Sequence, residues 1–185
     1  MLAVQAFGAE MAAAASKNAT KSGSNKADSA RGCTAATVPA VDEASRRRAS
    51  RAVICLVNRA RRAHGAAPLR RSKRLTRAAA QHSAAMVGGK FFSHRSSTGD
   101  VRRRAVRAGY LRSRRQGWVA ETLSWGAGAG ATPAHLVAAF MGSRSHRRTL
   151  LSRRFRHVGV GLALGAPRAN VGDDAATLTI DLGRR

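Results

Sequence analysis

The chain has 185 residues, 44% of them apolar, and it contains no apolar run long enough to cross a bilayer, which excludes a polytopic membrane protein. It has 34 basic residues, only five of them Lys, and nine acidic residues, which give a net charge of +25. Such a charge attracts polyanions, but a general preference for Arg at exposed positions in an Ala- and Gly-rich chain would also explain the charge. Aromatic residues make up 4% of the chain and no zinc-finger, RNP-type or basic-region motif is present, so we expect only non-specific nucleic-acid binding.

Residues 1–45 are predicted to be a flexible or processed leader and linker. Residues 2–15 are apolar, but Glu10 interrupts them and no basic residue precedes them, so they form an incomplete secretory signal as written. Residues 17–31 are rich in Ser, Asn, Lys and Gly without apolar periodicity, which is typical of a linker. We therefore place the folded domain at residues 46–185.

The chain has two cysteines, Cys33 and Cys55. Their spacing is too long for a CxxC redox pair, and two thiols are too few for a Cys-based metal site. Either they form one disulfide, which implies export, or Cys55 is a small hydrophobic residue buried on its helix. The general link between cysteine pairs and oxidising compartments favours the disulfide.

Apolar spacing and cap residues predict the helices in chain order. The first covers residues 46–64 and ends at Gly65, and the second covers 73–87 after Ser72 as its N-cap. Asp100 is expected to cap a short third helix, and Thr132 with the following proline starts a fourth. Residues 145–151 are predicted to form a further helical turn.

Strands are predicted near the end of the chain. Residues 118–125 fit either a short strand or an extended loop, whereas residues 158–164 and 178–182 alternate apolar side chains and are predicted to be strands of an antiparallel sheet. Helices first and strands last in one domain predict an α+β fold.

Three polar residues are candidates for a functional site: His94, Glu121 and His146. Two imidazoles and a carboxylate can bind a zinc-like ion with an open water position, or can form a hydrogen-bonded His–Glu–His cluster that shapes a cleft. A fourth candidate, His82, lies on the apolar side of its helix and is interpreted as a hydrogen-bonded core residue. No GxSxG elbow, P-loop, GxGxxG or catalytic Cys context is present, so we name no catalytic residue.

An ordered series of segments covering about residues 50–185 resembles the CAP superfamily (SCP or cysteine-rich secretory protein domains), and its compact bacterial branch in particular. The series is CLVNRARRAHGAAPL, LTRAAAQHSAAM, FFSH, AGY, AETLSWGAG, TPAHLVAAFMGSRSHRRTLL and FRHVGVGLALG.

The resemblance implies a three-layer α–β–α sandwich with a central antiparallel sheet and a cleft lined by two His and two acidic residues. The FSH, AET and SRSH segments place His94, Glu121 and His146 in that cleft, and the fourth position, an acid in animal members, falls at Ser143. Two other positions depart from the usual pattern: Thr122 stands where Asn follows the Glu, and Phe140 stands where Trp is usual.

The resulting prediction is a secreted CAP-domain protein: a monomeric, non-catalytic binding or cell-envelope module. Its cleft is expected to bind an undefined ligand, with Zn²⁺ or another divalent cation on His94, His146 and Glu121. One alternative is a metal-assisted hydrolase in which Glu121 is the general base. The other is a salt-dependent polyanion binder, with anionic envelope polymers or lipids as partners.

Overall fold

The structure is a computed structural model that describes residues 32–172 and 174–185. Its elements, in chain order, are α1 (Glu43–Ala63), β1 (Arg70–Arg71), α2 (Lys73–Gly88), α3 (Val101–Arg107), β2 (Trp118–Ala127), a 3₁₀ turn (Gly128–Ala131), α4 (Pro133–Gly142), α5 (Arg144–Leu151), β3 (His157–Leu164) and β4 (Ala175–Arg184). The predicted helices and strands are present, and the segment from residue 118 is a strand instead of a loop.

The four strands form one sheet in the order β1-β3-β4-β2. The three long strands are antiparallel neighbours, with Glu121 opposite Asp181 and Val160 opposite Ile180, whereas the short β1 runs parallel to the start of β3. Mixed helices around this sheet confirm the predicted α+β fold with a central, mainly antiparallel sheet.

Side-chain caps begin four of the helices. Asp42, Ser72, Asp100 and Thr132 each accept a hydrogen bond from the backbone N–H three residues later, which satisfies a donor that the first helical turn leaves free. The last three caps match the prediction. The first helix starts at Glu43 instead of at residue 46, because Asp42 and Ser45 cap each other reciprocally.

One face of the sheet packs against α1, α4 and α5 and forms the main hydrophobic core. Alternate residues of β3 and β4 supply it, since successive side chains of a strand point to opposite faces. These buried residues are Val158, Val160, Leu162, Leu178, Ile180 and Leu182.

The opposite face of the sheet is covered by α2, which lies close to the backbone of β3. A Cβ atom at Gly159 or Gly161 would come within 2.2 Å of the α2 backbone, so only glycine allows this approach. The cluster around Glu121 described below lies on this second face.

The segment before α1 belongs to the folded domain. Cys33 and Cys55 form a disulfide, which confirms the predicted pairing, and Cys33, Ala36 and Ala40 are buried in the main core. The predicted domain start at residue 46 is therefore wrong for residues 33–42, since their small apolar side chains pack on α1. In the chain-entropy model, closing a loop of about twenty residues contributes roughly 3 kcal/mol. The predicted leader and linker at residues 1–31 lie outside the described part of the chain.

None of the helices within residues 32–172 and 174–185 is both long and apolar enough to cross a membrane.

Candidate functional site

Glu121 on β2 is the centre of a polar cluster between the sheet, α2 and α3. Its side chain is 1% exposed, yet both of its carboxylate oxygens have donors. His94 Nδ1 lies 2.8 Å from Oε1, and the Arg104 guanidinium donates to Oε2. The buried negative charge is thereby paired and hydrogen bonded, which is what makes its burial tolerable.

Arg104 connects Glu121 to the loop that carries His94. It extends from α3, is 3% exposed at its side chain, and donates through Nη1 to the carbonyl oxygens of Gly99 at 2.5 Å and His94 at 3.2 Å. Asp100 caps α3 just before this residue. One guanidinium therefore fixes both the carboxylate and the backbone of the loop around it.

His82 supports the same loop from α2. Its Nε2 donates to the Ser93 carbonyl oxygen at 2.9 Å and lies 3.9 Å from Glu121 Oε1. Burial lowers the pKa of His82, and the Glu121 charge opposes this effect only in part. The hydrogen-bonded core histidine expected from the sequence is thus placed directly under the site.

Asp181 is a second acid in this cluster. It stands opposite Glu121 in the β2–β4 pairing, is completely buried, and accepts no hydrogen bond from the described residues. When it is protonated, its O–H can donate to the Glu121 carboxylate. Burial raises the pKa of Asp181 well above its ordinary value, and the neighbouring Glu121 charge raises it further. The cluster therefore contains two adjacent carboxyl groups but one guanidinium.

His146 and Ser143 are positioned by the α4–α5 segment and not by the elements that hold Glu121. Burial, followed by the charge of His94, lowers the pKa of His146. The His146 ring packs edge-on against Phe140 at 5.3 Å, and its buried Nδ1 has no partner within the described residues. Ser143 is the N-cap residue just before α5, and its hydroxyl lies 3.2 Å from that of Ser145.

The accessible part of the site is the outer edge of His94. Its side chain is 59% exposed although its Nδ1 is held by buried Glu121. With Nδ1 donating to the carboxylate, Nε2 is left as the ring nitrogen available to a ligand. It accepts a hydrogen bond when the ring is neutral and donates one when the ring is protonated.

The arrangement does not fit a divalent metal centre. No group of three His, Cys, Asp or Glu side chains among the described residues is placed to hold an ion. Both oxygens of Glu121 already have donors, and one of these donors is a guanidinium whose positive charge opposes a cation. We assign no step to a metal, and a site on His94, His146 and Glu121 stays a prediction.

Comparison with known proteins assigns the family. Residues 54–172 match the sequence profile of the cysteine-rich secretory protein (CAP) family. The chain belongs to the CAP family. No curated protein matches this CAP domain significantly in sequence.

Solved structures share the fold of this CAP domain. An extracellular protein containing an SCP domain from Bacillus anthracis has a TM-score of 0.59 and 21% identity, over 79% of this chain and 45% of that one. An outer surface protein from Borrelia burgdorferi has a TM-score of 0.59 and 14% identity, over 72% and 90%. A cysteine-rich secretory protein from Staphylococcus aureus has a TM-score of 0.52 and 16% identity, over 78% and 41%. The CAP domain thus spans less than half the length of two of these proteins.

The cluster contains His94 and Glu121, which the sequence pattern singled out, together with Arg104 and Asp181, which it did not. Arg104 is one of three consecutive arginines, and nothing local distinguishes it from Arg102 and Arg103. Asp181 did carry a signal, because an acid inside an apolar strand of a chain with nine acids is unusual. The position of Asp181 beside Glu121 depends on the register of β2 against β4, which cannot be predicted from the sequence.

Proposed function

We propose that this CAP domain is an exported, non-catalytic binding module whose cleft, formed by His94, Glu121, His146 and Ser143, binds a polar ligand. The observation that carries the proposal is that Glu121 is held at both oxygens while the ring it orients remains 59% exposed. The site therefore presents a positioned imidazole at the surface.

The engagement of Glu121 favours binding over hydrolysis. A general base must reach a water molecule, but the Glu121 carboxylate is 1% exposed and each of its oxygens already accepts a hydrogen bond, from His94 or from Arg104. The hydroxyls of Ser143 and Ser145 pair with each other. We therefore assign Glu121 a positioning role, in which it fixes the orientation and the proton position of His94.

The charge around the cleft favours a neutral or anionic ligand. Arg104 is buried beneath His94, and the chain carries a net charge of +25. Hydroxyl or carboxyl groups, such as those of cell-wall glycan fragments, match the donors and acceptors of the two imidazoles. Export is supported by the Cys33–Cys55 disulfide and by structural relatives described as extracellular, outer-surface or secretory proteins.

The test is a titration with soluble cell-wall glycan fragments, followed through the imidazole ¹⁵N resonances. The resonances of His94 and His146 should shift, and His94→Ala should abolish binding. His64 is the internal control, because its ring is bonded to the Ala60 carbonyl at the end of α1, outside the cleft.

A parallel titration with Zn²⁺ alone tests the metal alternative. We expect the wild-type protein to show no saturable heat of Zn²⁺ binding that disappears in the double variant His94→Ala/His146→Ala. If such heat is found, or if glycan fragments leave both cleft imidazoles unmoved, the proposal fails.

A further inference from the structure

Two cavities lie side by side at the β1 end of the sheet, away from the cleft residues. The first, about 350 Å³, lies between α1 and α2 along the edge of β3 that the short β1 leaves unpaired. The second, about 270 Å³, lies where α2 begins, beside Tyr110 and His157. Arg71 lines both cavities, and we call the two cavities together the Arg71 track.

The second cavity is strongly basic. Arg71, Lys73, Arg74 and Arg185 line it, and no Asp or Glu side chain does. None of these four side chains takes part in the ion pairs found among the described residues. Positive groups gathered in one concave site repel each other, and a bound anion relieves that repulsion.

The first cavity is also lined by basic residues, most of them on α1. Arg46 and Arg47 are paired with Glu43, which leaves Arg51 and Arg71 as its cations without an acidic partner in the described chain. Thr76 also lines this cavity, and its buried hydroxyl oxygen has no hydrogen-bond partner among residues 32–172 and 174–185. The cavity thus offers unpaired cations together with an unused hydroxyl donor.

We propose that the Arg71 track binds a phosphodiester polymer of the polyol-phosphate kind, one phosphate in each cavity with Arg71 between them. Guanidinium groups match phosphate oxygens with paired N–H donors, and four of the five unpaired cations of the track are arginines. Two neighbouring basic cavities that share Arg71 fit a chain of repeating charges better than a single ion.

Nucleic acid fits this track less well. Binding of single strands relies on exposed aromatic rings on which bases stack. Tyr110 is the aromatic residue that lines the track, but it is 3% exposed and its hydroxyl is bonded to His157 Nδ1 at 2.8 Å. The track therefore offers charge and hydrogen bonds without a stacking platform.

The experiment measures fluorescence anisotropy of a short labelled glycerol-phosphate oligomer against full-length protein at several salt concentrations. Reversing two track charges in Arg71→Glu/Arg74→Glu should weaken binding by about tenfold or more and flatten the salt dependence, because phosphate contacts are lost. The matched control Arg112→Glu/Arg115→Glu changes the net charge equally at exposed residues that line neither cavity, and should change affinity by less than about threefold. Melting curves verify that each variant is folded.

Three results would overturn the proposal. Equal weakening by both double variants would show general attraction to a basic protein. Equal or tighter binding of an oligothymidylate with the same number of phosphates would indicate nucleic acid, and saturation by inorganic phosphate with equal affinity would indicate a single-ion site. His94→Ala should leave oligomer affinity unchanged, which separates this site from the proposed cleft.

Discussion

The two faces of the sheet use the same strands for different purposes. On the face toward α1, β4 presents Leu178, Ile180 and Leu182 to an apolar core. On the face toward α2, the same strand presents Thr179 and Asp181, which are equally buried but polar. Burial therefore does not distinguish the core from the site in this domain, whereas hydrogen bonding and charge do.

The polar face is stabilised by specific pairs. Ser83 on α2 donates to Thr179 Oγ1 at 2.8 Å, and Arg104 and His94 pair with Glu121. Removing one partner from such a pair leaves a buried group unsatisfied, whereas trimming an apolar side chain leaves only a cavity. The two faces should therefore respond differently to substitution, both in stability and at His94.

The largest effect is expected on the polar face at Arg104. Arg104→Met leaves the Glu121 carboxylate buried without its cation, so it should cost about 3–5 kcal/mol of unfolding free energy. It should also shift the His94 imidazole resonances, because the Glu121 carboxylate and the backbone carbonyls of Gly99 and His94 lose the guanidinium that bonds to all three. Denaturant melts and NMR measure both effects, and Arg103→Met, at an exposed neighbour in α3, is the control. A loss below that of the control would contradict the proposed role of Arg104.

On the apolar face, Ile180→Ala should lower the stability of the domain without affecting His94. Ile180 is completely buried, so the lost contacts and the remaining cavity should cost about 2–4 kcal/mol. The His94 resonances should stay in place, because Ile180 points to the opposite side of the sheet. If they move as they do in Arg104→Met, the two faces are not independent.

The close contact between α2 and β3 gives a third test. Gly161→Ala places a Cβ atom 2.2 Å from the Ala79 backbone carbonyl carbon, and a backbone cannot rotate away, so we expect a loss of about 1–3 kcal/mol. Gly142→Ala, at the end of α4 where an added Cβ atom would meet no packing neighbour within 4 Å, should be neutral or slightly stabilising. Thermal melts that rank the two variants equally would contradict the packing described for α2.

The smallest effect is expected at Asp181, and it depends on pH. In the unfolded chain the Asp181 carboxyl group loses its proton near pH 4. In the folded protein, burial and the Glu121 charge raise the pKa of Asp181. The native state therefore loses stability relative to the unfolded state as pH rises above about 4. Asp181→Asn has no proton to lose and should be on the order of 1 kcal/mol more stable at pH 7.

Denaturation curves between acidic and neutral pH measure this difference. The variant should show a weaker decline of stability with rising pH than the wild-type protein. Asp174→Asn, at an exposed loop position, should leave the profile unchanged. An Asp181→Asn profile that matches the wild-type one would show that the carboxyl group is already ionised in the native state.

Local patterns in the chain were sufficient for most of the fold. The cap residues Ser72, Asp100 and Thr132 and the alternation in β3 and β4 act over a few neighbouring residues, so they could be read without knowing the tertiary structure. The ordered segments also indicated the family, which the profile match over residues 54–172 then showed.

Tertiary structure decided what each polar residue does. The register of β2 against β4 places Asp181 beside Glu121, and the packing of α3 selects Arg104 from three adjacent arginines. The disulfide and the apolar contacts of residues 33–40 likewise show that the domain starts earlier than its helical pattern indicates. These outcomes depend on contacts between residues far apart in the chain, and local propensity carries no information about such contacts.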